Sequence, residues 1–413
     1  MDKIRVGVVG VGRGSSFARR VGPYLDMELV ALCDKWKERL NALGKDLNVT
    51  TYTDYDKFLE HDMDAVILAN YFHEHAPFAI KALNSGRHVM SETSACFTIG
   101  EGVALVEAVE NSGKIYMFAE NYPFMLFNQE MRKLYQSGVV GEFQYGEGEY
   151  VHPMVAESMN SISPGINHWR NWIPVTYYNT HSLAPVMCIT DTWPVKVNGF
   201  VIPYDPTDEN RQKTTRVNDV ASAILVRMNN GAVVKLLQVS LRGHGVWVRI
   251  HGNKGLMENL RHGDRQMVRL RREPFDIGEN EEVEKIYKPE FPKEHEKALE
   301  SGHGGGDYFV TYQFAEAIRK NQQPYLDVYR GVVMSSVGIL AYRSALNDSN
   351  TVDMPDFKNK EERSKYADDH WNPAPGRRKE DDPWPSITGE IKPTKEGLEY
   401  ARKVWDKIGY HGE

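Results

Sequence analysis

The sequence predicts an α/β protein: an N-terminal doubly wound parallel sheet, followed by an α+β region on an open, mostly antiparallel sheet. Three observations predict it. Over residues 1–122, short apolar runs alternate with helical patterns, as in a parallel sheet with helices on both faces. From Phe124 onward, strand-like runs succeed one another without helices between them, which implies antiparallel pairing. A glycine-rich turn, Gly10–Ser16, stands directly behind the first apolar strand.

Ile4–Val9 reads as the first strand, and Ser15–Leu25 has the composition of a helix. Leu29–Cys33 is a second strand, closed by Asp34. Further strands are expected at Ala65–Ala69, His88–Met90 and Ile115–Phe118. Helical patterns at Lys35–Leu43, Phe58–His61, His75–Ser85 and Gly100–Asn111 lie between them. Ligands bind at the carboxyl ends of such strands. Gly10–Ser16, Asn70–His75 and Ser91–Ser94 therefore share one edge.

In the second region Asn128–Ser137 looks helical, Gly138–Gly141 is a turn and Phe143–Val151 alternates as a strand. Val195–Ile202, Val220–Met228, Ala232–Leu241, Val246–His251 and Gly255–Asn259 read as strands, with Asn229-Asn230-Gly231 as a hairpin signal. Helices at Tyr308–Lys320 and Arg330–Leu346 are expected to cover one face. Residues 350–393 are charged and Pro-rich, and Thr394–Ile408 places Leu398, Ala401, Val404, Trp405 and Ile408 on one helix face. That helix is expected to dock on its own chain or on a neighbouring subunit. The expected domains are 1–122, 123–350 and a tail, 351–413.

Composition narrows the function classes. The formal charge of −7 gives no basic face for nucleic acid. No apolar stretch is long enough for a membrane helix. Met1-Asp2-Lys3 leads straight into the first strand, so no signal peptide is expected and the cytoplasm is the expected location. Cys33, Cys96 and Cys188 lack any C-x-x-C spacing, so neither a disulfide framework nor a zinc site is expected. A homo-oligomer is expected, with the second sheet as an oligomer or interdomain surface.

The N-terminal turn carries the clearest chemistry. IRVGVVGVGRGS followed by Asp34 fits a dinucleotide-binding βαβ unit, although Ser15 stands where G-x-G-x-x-G has its third glycine. Gly10 permits the tight turn. Gly12 lets the backbone approach a pyrophosphate, and the helix N-terminus offers free N–H groups. Asp34 would accept from a ribose 2′-hydroxyl and repel a 2′-phosphate, so NAD is expected over NADP. The expected cofactor-binding set is Gly10, Gly12, Arg13, Gly14, Ser15, Asp34, Asn70, His75, Glu92 and Asn121. His73-Glu74-His75 lacks a third ligand at a telling spacing, so no metal is expected.

Three further clusters stand in the second region. His168-Trp169-Arg170-Asn171-Trp172 suits a sugar, because indole faces cover C–H surfaces and Arg or Asn reaches hydroxyls; a buried Trp cluster with an Arg ion pair is the alternative. Tyr178 and His181 share a face at helical or turn spacing. A histidine changes charge near neutral pH, whereas Tyr178 needs an adjacent cation to act as a base; the alternative is a helix cap and a packed ring. Gly302–Asp307 surrounds His303 with glycines, as a ligand or a close backbone would require. The alternative there is a plain loop with Asp307 capping the next helix.

Several segments together resemble the Gfo/Idh/MocA family: IRVGVVGVGRGS, Asp34, DAVILANYFHEH at 64–75, ALNSGRHVMSE at 82–92, SGVVGE at 137–142 and the hairpin near Asn229–Gly231. The resemblance covers roughly residues 1–350. It implies a Rossmann domain, an α/β domain with an open antiparallel sheet, and a sugar or cyclitol substrate between them. Two departures matter. Glu92-Thr93-Ser94 replaces the family's Glu-Lys-Pro, so the lysine that would polarise the reacting hydroxyl is missing. Tyr177-Tyr178-Asn179-Thr180-His181 lacks the aspartate of the usual Asp-x-x-x-His.

Both departures look like the NAD-dependent branch classed as glycoside hydrolase family 109. That branch has a similar Tyr-x-x-His block before a Pro, here Tyr178–Pro185, and a Gly-His-Gly-Gly segment, here Gly302–Gly305. The resemblance implies a glycosidase that oxidises C3 of a sugar, eliminates the C1 substituent, adds water and returns the hydride. Tyr178, His181 and His303 would be catalytic. His168, Arg170, Trp172 and Tyr178 would hold the sugar. The alternative is a net NAD(P)-dependent sugar or cyclitol dehydrogenase, and below it a non-catalytic NAD-binding regulator.

Overall fold

The computed structural model describes residues 3–21, 27–243 and 245–412. The chain forms two compact units, each built from separated stretches. One comprises Met1–Gln129, Glu290–Ser336 and Pro355–Asp369; the other comprises Glu130–Pro289, Val337–Met354 and His370–Glu413. Compaction therefore does not follow the expected divisions at 122 and 350. Residues well beyond 122 return to the first unit, where the Phe118 N–H donates to the Leu326 carbonyl at 2.8 Å.

The first unit holds a six-stranded sheet in the order β3-β2-β1-β4-β5-β6. Its strands are β1 (Ile4–Val9), β2 (Met27–Cys33), β3 (Thr50–Tyr52), β4 (Ala65–Leu68), β5 (His88–Ser91) and β6 (Tyr116–Phe118). Every pairing is parallel. All four residues of β4 are 0 % exposed, as a strand covered by helices on both faces requires. The order reverses between β1 and β4, and ligands bind at the carboxyl ends beside such a reversal. Gly10 and Asn70 stand just past those two ends.

Helices Lys37–Leu47, His75–Asn84 and Ile99–Ser112 match the expected pattern. The last starts where Thr98 Oγ1 accepts from the Glu101 N–H (3.1 Å) and stops at Gly113, whose φ is +63°. Of the expected Ser15–Leu25 helix, Gly14–Ala18 is helical, and residues 22–26 lie outside the described residues. The short strand β3 had no sequence signal, because three half-exposed edge residues bury too little to pattern.

The second unit holds a nine-stranded sheet in the order β14-β13-β12-β11-β7-β10-β9-β8-β15. Its strands are β7 (Phe143–Val151), β8 (Pro194–Ile202), β9 (Ala221–Met228), β10 (Val233–Val239), β11 (Gly245–Gly252), β12 (Gly255–Asn259), β13 (Val268–Arg272), β14 (Glu284–Tyr287) and β15 (Val352–Asp353). The sheet is mixed: β10 runs parallel to β7, with Val233 opposite Tyr145, and the other pairs are antiparallel. Helix Thr180–Thr190 lies on β7, and a Cβ at Gly148 would collide with the Ser182 carbonyl. Phe200, Ile202 and Leu225 are exposed at 51 %, 42 % and 41 %.

The expected tail is structured. Arg363, 1 % exposed, pairs with Glu110 within the first unit. In the second, helix Lys395–Lys407 is capped by Thr394 and buries Ala401, Val404 and Trp405. The Trp405 indole N–H donates to the Asn160 carbonyl at 3.1 Å, so this helix docks on its own chain. No described helix is long and apolar enough to cross a membrane.

Candidate functional site

The first unit presents the glycine turn as a preformed cradle. Gly10 has φ +89°, and a Cβ there would strike the Ala69 carbonyl, so only glycine fits. A Cβ on Gly14 would come within 2.8 Å of Val8. A Cβ on Gly12 would meet nothing within 4 Å, so that face of the turn is open for a ligand to approach the backbone. Ser15 Oγ donates to the Gly12 carbonyl at 2.9 Å and holds the turn.

Asp34 accepts from the Val11 N–H (2.6 Å) and the Trp36 N–H (2.7 Å). Burial raises its carboxyl above the ordinary range, against those two bonds. Both atoms of the Asn70 side-chain amide are buried without a partner. His75 Nδ1 bonds the Ser94 carbonyl at 2.9 Å while Nε2 is buried without a partner, and burial lowers the imidazole's pKa. A buried polar atom left unpaired is costly. An open Gly12 face beside unpaired amide and imidazole groups fits a dinucleotide.

Arg13 and Glu92, expected as separate cofactor contacts, are bonded to each other at 2.7 Å. Arg13 also forks onto Asp307, with NH1 to Oδ2 at 2.9 Å and NH2 to Oδ1 at 2.7 Å. Burial works against the Arg13 charge, but Glu92 and Asp307 outweigh it and hold the guanidinium above its ordinary pKa. Asn121 Nδ2 donates to Asp307 Oδ1 at 2.8 Å, and His303 Nδ1 lies 3.1 Å from Oδ2. Burial pushes the Asp307 carboxyl up, yet bonds from His303 and Arg13 hold it well below the carboxylate range.

Asp307 is therefore not a helix cap. Helix Gly306–Lys320 begins behind Gly305 with no side-chain cap, because this carboxylate faces the Arg13 fork instead. The glycines around His303 answer to close packing. A Cβ on Gly302 would lie 2.7 Å from Asp307, one on Gly305 2.7 Å from Phe291, and one on Gly306 would strike the Asn121 carbonyl.

The second unit gathers an aromatic and basic cluster. Arg170 NH1 donates to Tyr178 Oη at 2.8 Å, and its guanidinium lies 4.2 Å from the Trp169 ring centroid. His181 meets Tyr178 edge-on at 5.4 Å. Tyr150 stacks on Tyr178 at 5.6 Å and lies 4.8 Å from His181. His168 Nδ1 accepts from the Arg170 N–H at 3.2 Å and stacks on Trp169. Trp172 is 5 % exposed and donates to the Asn167 carbonyl at 3.1 Å.

His168, Arg170, Tyr178 and His181 are thus brought together, whereas Trp172 spends its N–H on local structure. Asp307 and Tyr150 belong to these constellations; in the sequence alone Asp307 stands out only as an alternative helix cap, and Tyr150 is not singled out. Tyr150 had a legible signal, since it is the last aromatic of the alternating Phe143–Val151 run. Among the described residues, no group of three or more His, Cys, Asp and Glu side chains is placed to hold a metal ion.

Comparison with known proteins agrees with both halves. Residues 4–120 match the family described as oxidoreductase family, NAD-binding Rossmann fold, and residues 195–364 match the glycosyl hydrolase 109 C-terminal domain. A glycosyl hydrolase family 109 protein of Shewanella pealeana is 25 % identical over 392 residues, covering 86 % of each chain. An alpha-N-acetylgalactosaminidase of Shewanella oneidensis is 25 % identical over 404 residues, covering 86 % of this chain and 85 % of its own. In fold, the chain is similar to levoglucosan dehydrogenase solved with NADH and levoglucosan. The TM-score is 0.72 at 18 % identity, over 86 % of this chain and 100 % of that one.

Proposed function

We propose that this chain, whose residues 4–120 match the oxidoreductase family with an NAD-binding Rossmann fold and whose residues 195–364 match the glycosyl hydrolase 109 C-terminal domain, is a glycosidase that uses NAD as a recycled catalyst. At the coarser level it is an NAD-binding enzyme that acts on sugars. The observation that carries the finer reading is the Arg170–Tyr178–His181 arrangement. Its reactive groups are a phenol and an imidazole beside a guanidinium, in place of the carboxylate pair of most glycosidases.

NAD, when bound, supplies the reversible oxidation at C3 that acidifies the neighbouring C2–H. Tyr178 or His181 then takes the C2 proton. Arg170 holds a fixed positive charge against Tyr178 Oη, where negative charge builds as a proton is exchanged. The C1 substituent leaves with a proton supplied by a second group, for which His303 is the candidate; water then adds at C1 as C2 regains its proton, and reversal of the oxidation restores the C3 hydroxyl. Asp307 orients His303 through Nδ1 and leaves Nε2 for that transfer. His168 fixes the Arg170 backbone. A homo-oligomer through the exposed Phe200, Ile202 and Leu225 face belongs to the same proposal.

The test is to incubate the NAD-loaded protein with aryl glycosides while recording aglycone and NADH together. Aglycone release without NADH accumulation is expected. Stoichiometric NADH from a free sugar, with no glycoside cleaved, would replace this reading with a net dehydrogenase.

A further inference from the structure

Beside Tyr178 lies a charge that no carboxylate among the described residues neutralises. Arg216 is 7 % exposed, and its Nε is buried without a hydrogen-bond partner. No carboxylate among the described residues stands within ion-pair distance of it. The backbone fixes its place. The Val217 N–H donates to the Asn171 carbonyl at 2.7 Å, and Asn218 Nδ2 donates to the Ile173 carbonyl at 2.7 Å. Residues 216–218 thus run along the 170–173 segment.

The neighbours of Arg216 deepen the imbalance. Its strongest electrostatic partners are Arg211, Arg170, Tyr178 and Tyr150, so two further cations and no carboxylate lead that set. Burial, and then the two arginines, bring Arg216 down to about 9. Arg211 spends its NH2 on Asn218 Oδ1 (2.8 Å) and the Asp219 carbonyl (3.0 Å). The Asp219 carboxylate is itself taken up by Ser386 Oγ (2.6 Å) and by the N–H groups of Tyr204 and Ile387 (3.0 Å each). Arg170 gives NH1 to Tyr178 and, among the described residues, has no carboxylate at ion-pair distance either.

An isolated buried charge costs several kcal/mol unless it is paired. A protein that keeps the buried Arg216 and the half-buried Arg170 at one place, beside its phenol and imidazole, leaves the counter-charge to the ligand. We propose that the sugar taken by this site bears a ring carboxylate, bound by Arg216 together with Arg170. A planar carboxylate accepts two parallel N–H bonds from a guanidinium, which a hydroxymethyl group cannot do. The substrate class is then a glycoside of a uronic acid. This inference rests on the sugar-cleaving reading above and adds to it the chemistry of the sugar.

The test uses the NAD-loaded full-length protein and paired compounds that differ only at C6. These are aryl glucuronide and aryl glucoside, aryl galacturonide and aryl galactoside, with the four free sugars as binding probes in calorimetry. At least one acid is expected to surpass its neutral partner by about tenfold or more in kcat/KM or affinity. Arg216→Gln is expected to bring that pair within about threefold, by loss at the acid. Equal or better use of the neutral sugars by the wild-type protein overturns the proposal, whether or not the variant folds. Uronate binding without any aglycone release keeps this inference and overturns the glycosidase reading.

Discussion

The two polar constellations are built on opposite principles. In the network around Arg13 in the first unit each charge has a partner: Arg13 has Glu92 and Asp307, and Asp307 also has Arg20, Asn121 and His303. In the second unit Arg170 and Arg216 face rings and each other's charge, with no carboxylate at ion-pair distance among the described residues. A closed network fixes geometry before any ligand arrives, which suits a retained cofactor. An open one is completed by whatever binds, which suits a substrate that must come and go.

The largest break in this comparison comes from the open side. Tyr178→Phe keeps the ring stacking on Tyr150 but removes the oxygen that Arg170 holds. Aglycone release is expected to fall by about a thousandfold, within the ordinary span for loss of a general base. NAD affinity, measured by fluorescence titration, should not move, because Tyr178 lies outside the cofactor set. Full activity in Tyr178→Phe would pass the base role to His181.

The next effect comes from the closed side. Asp307→Asn leaves Arg13 short of one counter-charge in a carboxylate site that is 3 % exposed. The expected loss is about 3 kcal/mol of stability at pH 7, read from denaturant melts. The pH dependence has a definite sign. The folded carboxyl is held below its unfolded value of about 4, so its contribution is complete above about pH 4 and fades as pH falls toward the folded value. The gap between wild type and Asp307→Asn should therefore narrow as melts are repeated from pH 7 to pH 3. A gap that stays constant would show that Asp307 acts by shape and not by charge.

Legibility in the sequence divided along the same line. Five of the six strands and the shared edge at Gly10 and Asn70 followed from local patterns, because each βαβ step is contiguous in the chain. The aromatic cluster was half legible, since His168, Arg170, Tyr178 and His181 lie within 14 residues of one another. Arg13 and Asp307 are 294 positions apart, and no periodicity links them, so Asp307 read as a helix cap. Arg216 had no signal at all. A lone arginine in a polar loop reads as a solvated charge until burial and the missing partner are seen. The parallel step between β7 and β10 escaped for a similar reason, since strand pairing at long range leaves no local trace.

The smallest structural effect sharpens the comparison most. A Cβ on Gly12 meets nothing within 4 Å, so Gly12→Ala should change stability by no more than about 0.5 kcal/mol. The same methyl occupies the space through which a pyrophosphate would reach the backbone, so NAD affinity should fall by about tenfold or more. Gly10→Ala is the control. Its φ of +89° and its contact with the Ala69 carbonyl mean that the fold suffers before the ligand does. If Gly12→Ala lowered stability as much as Gly10→Ala, the turn would be a packing device like the glycines around His303. If it lowered only NAD affinity, the open face at Gly12 would be reserved for the cofactor, set on a network whose geometry is already fixed without it.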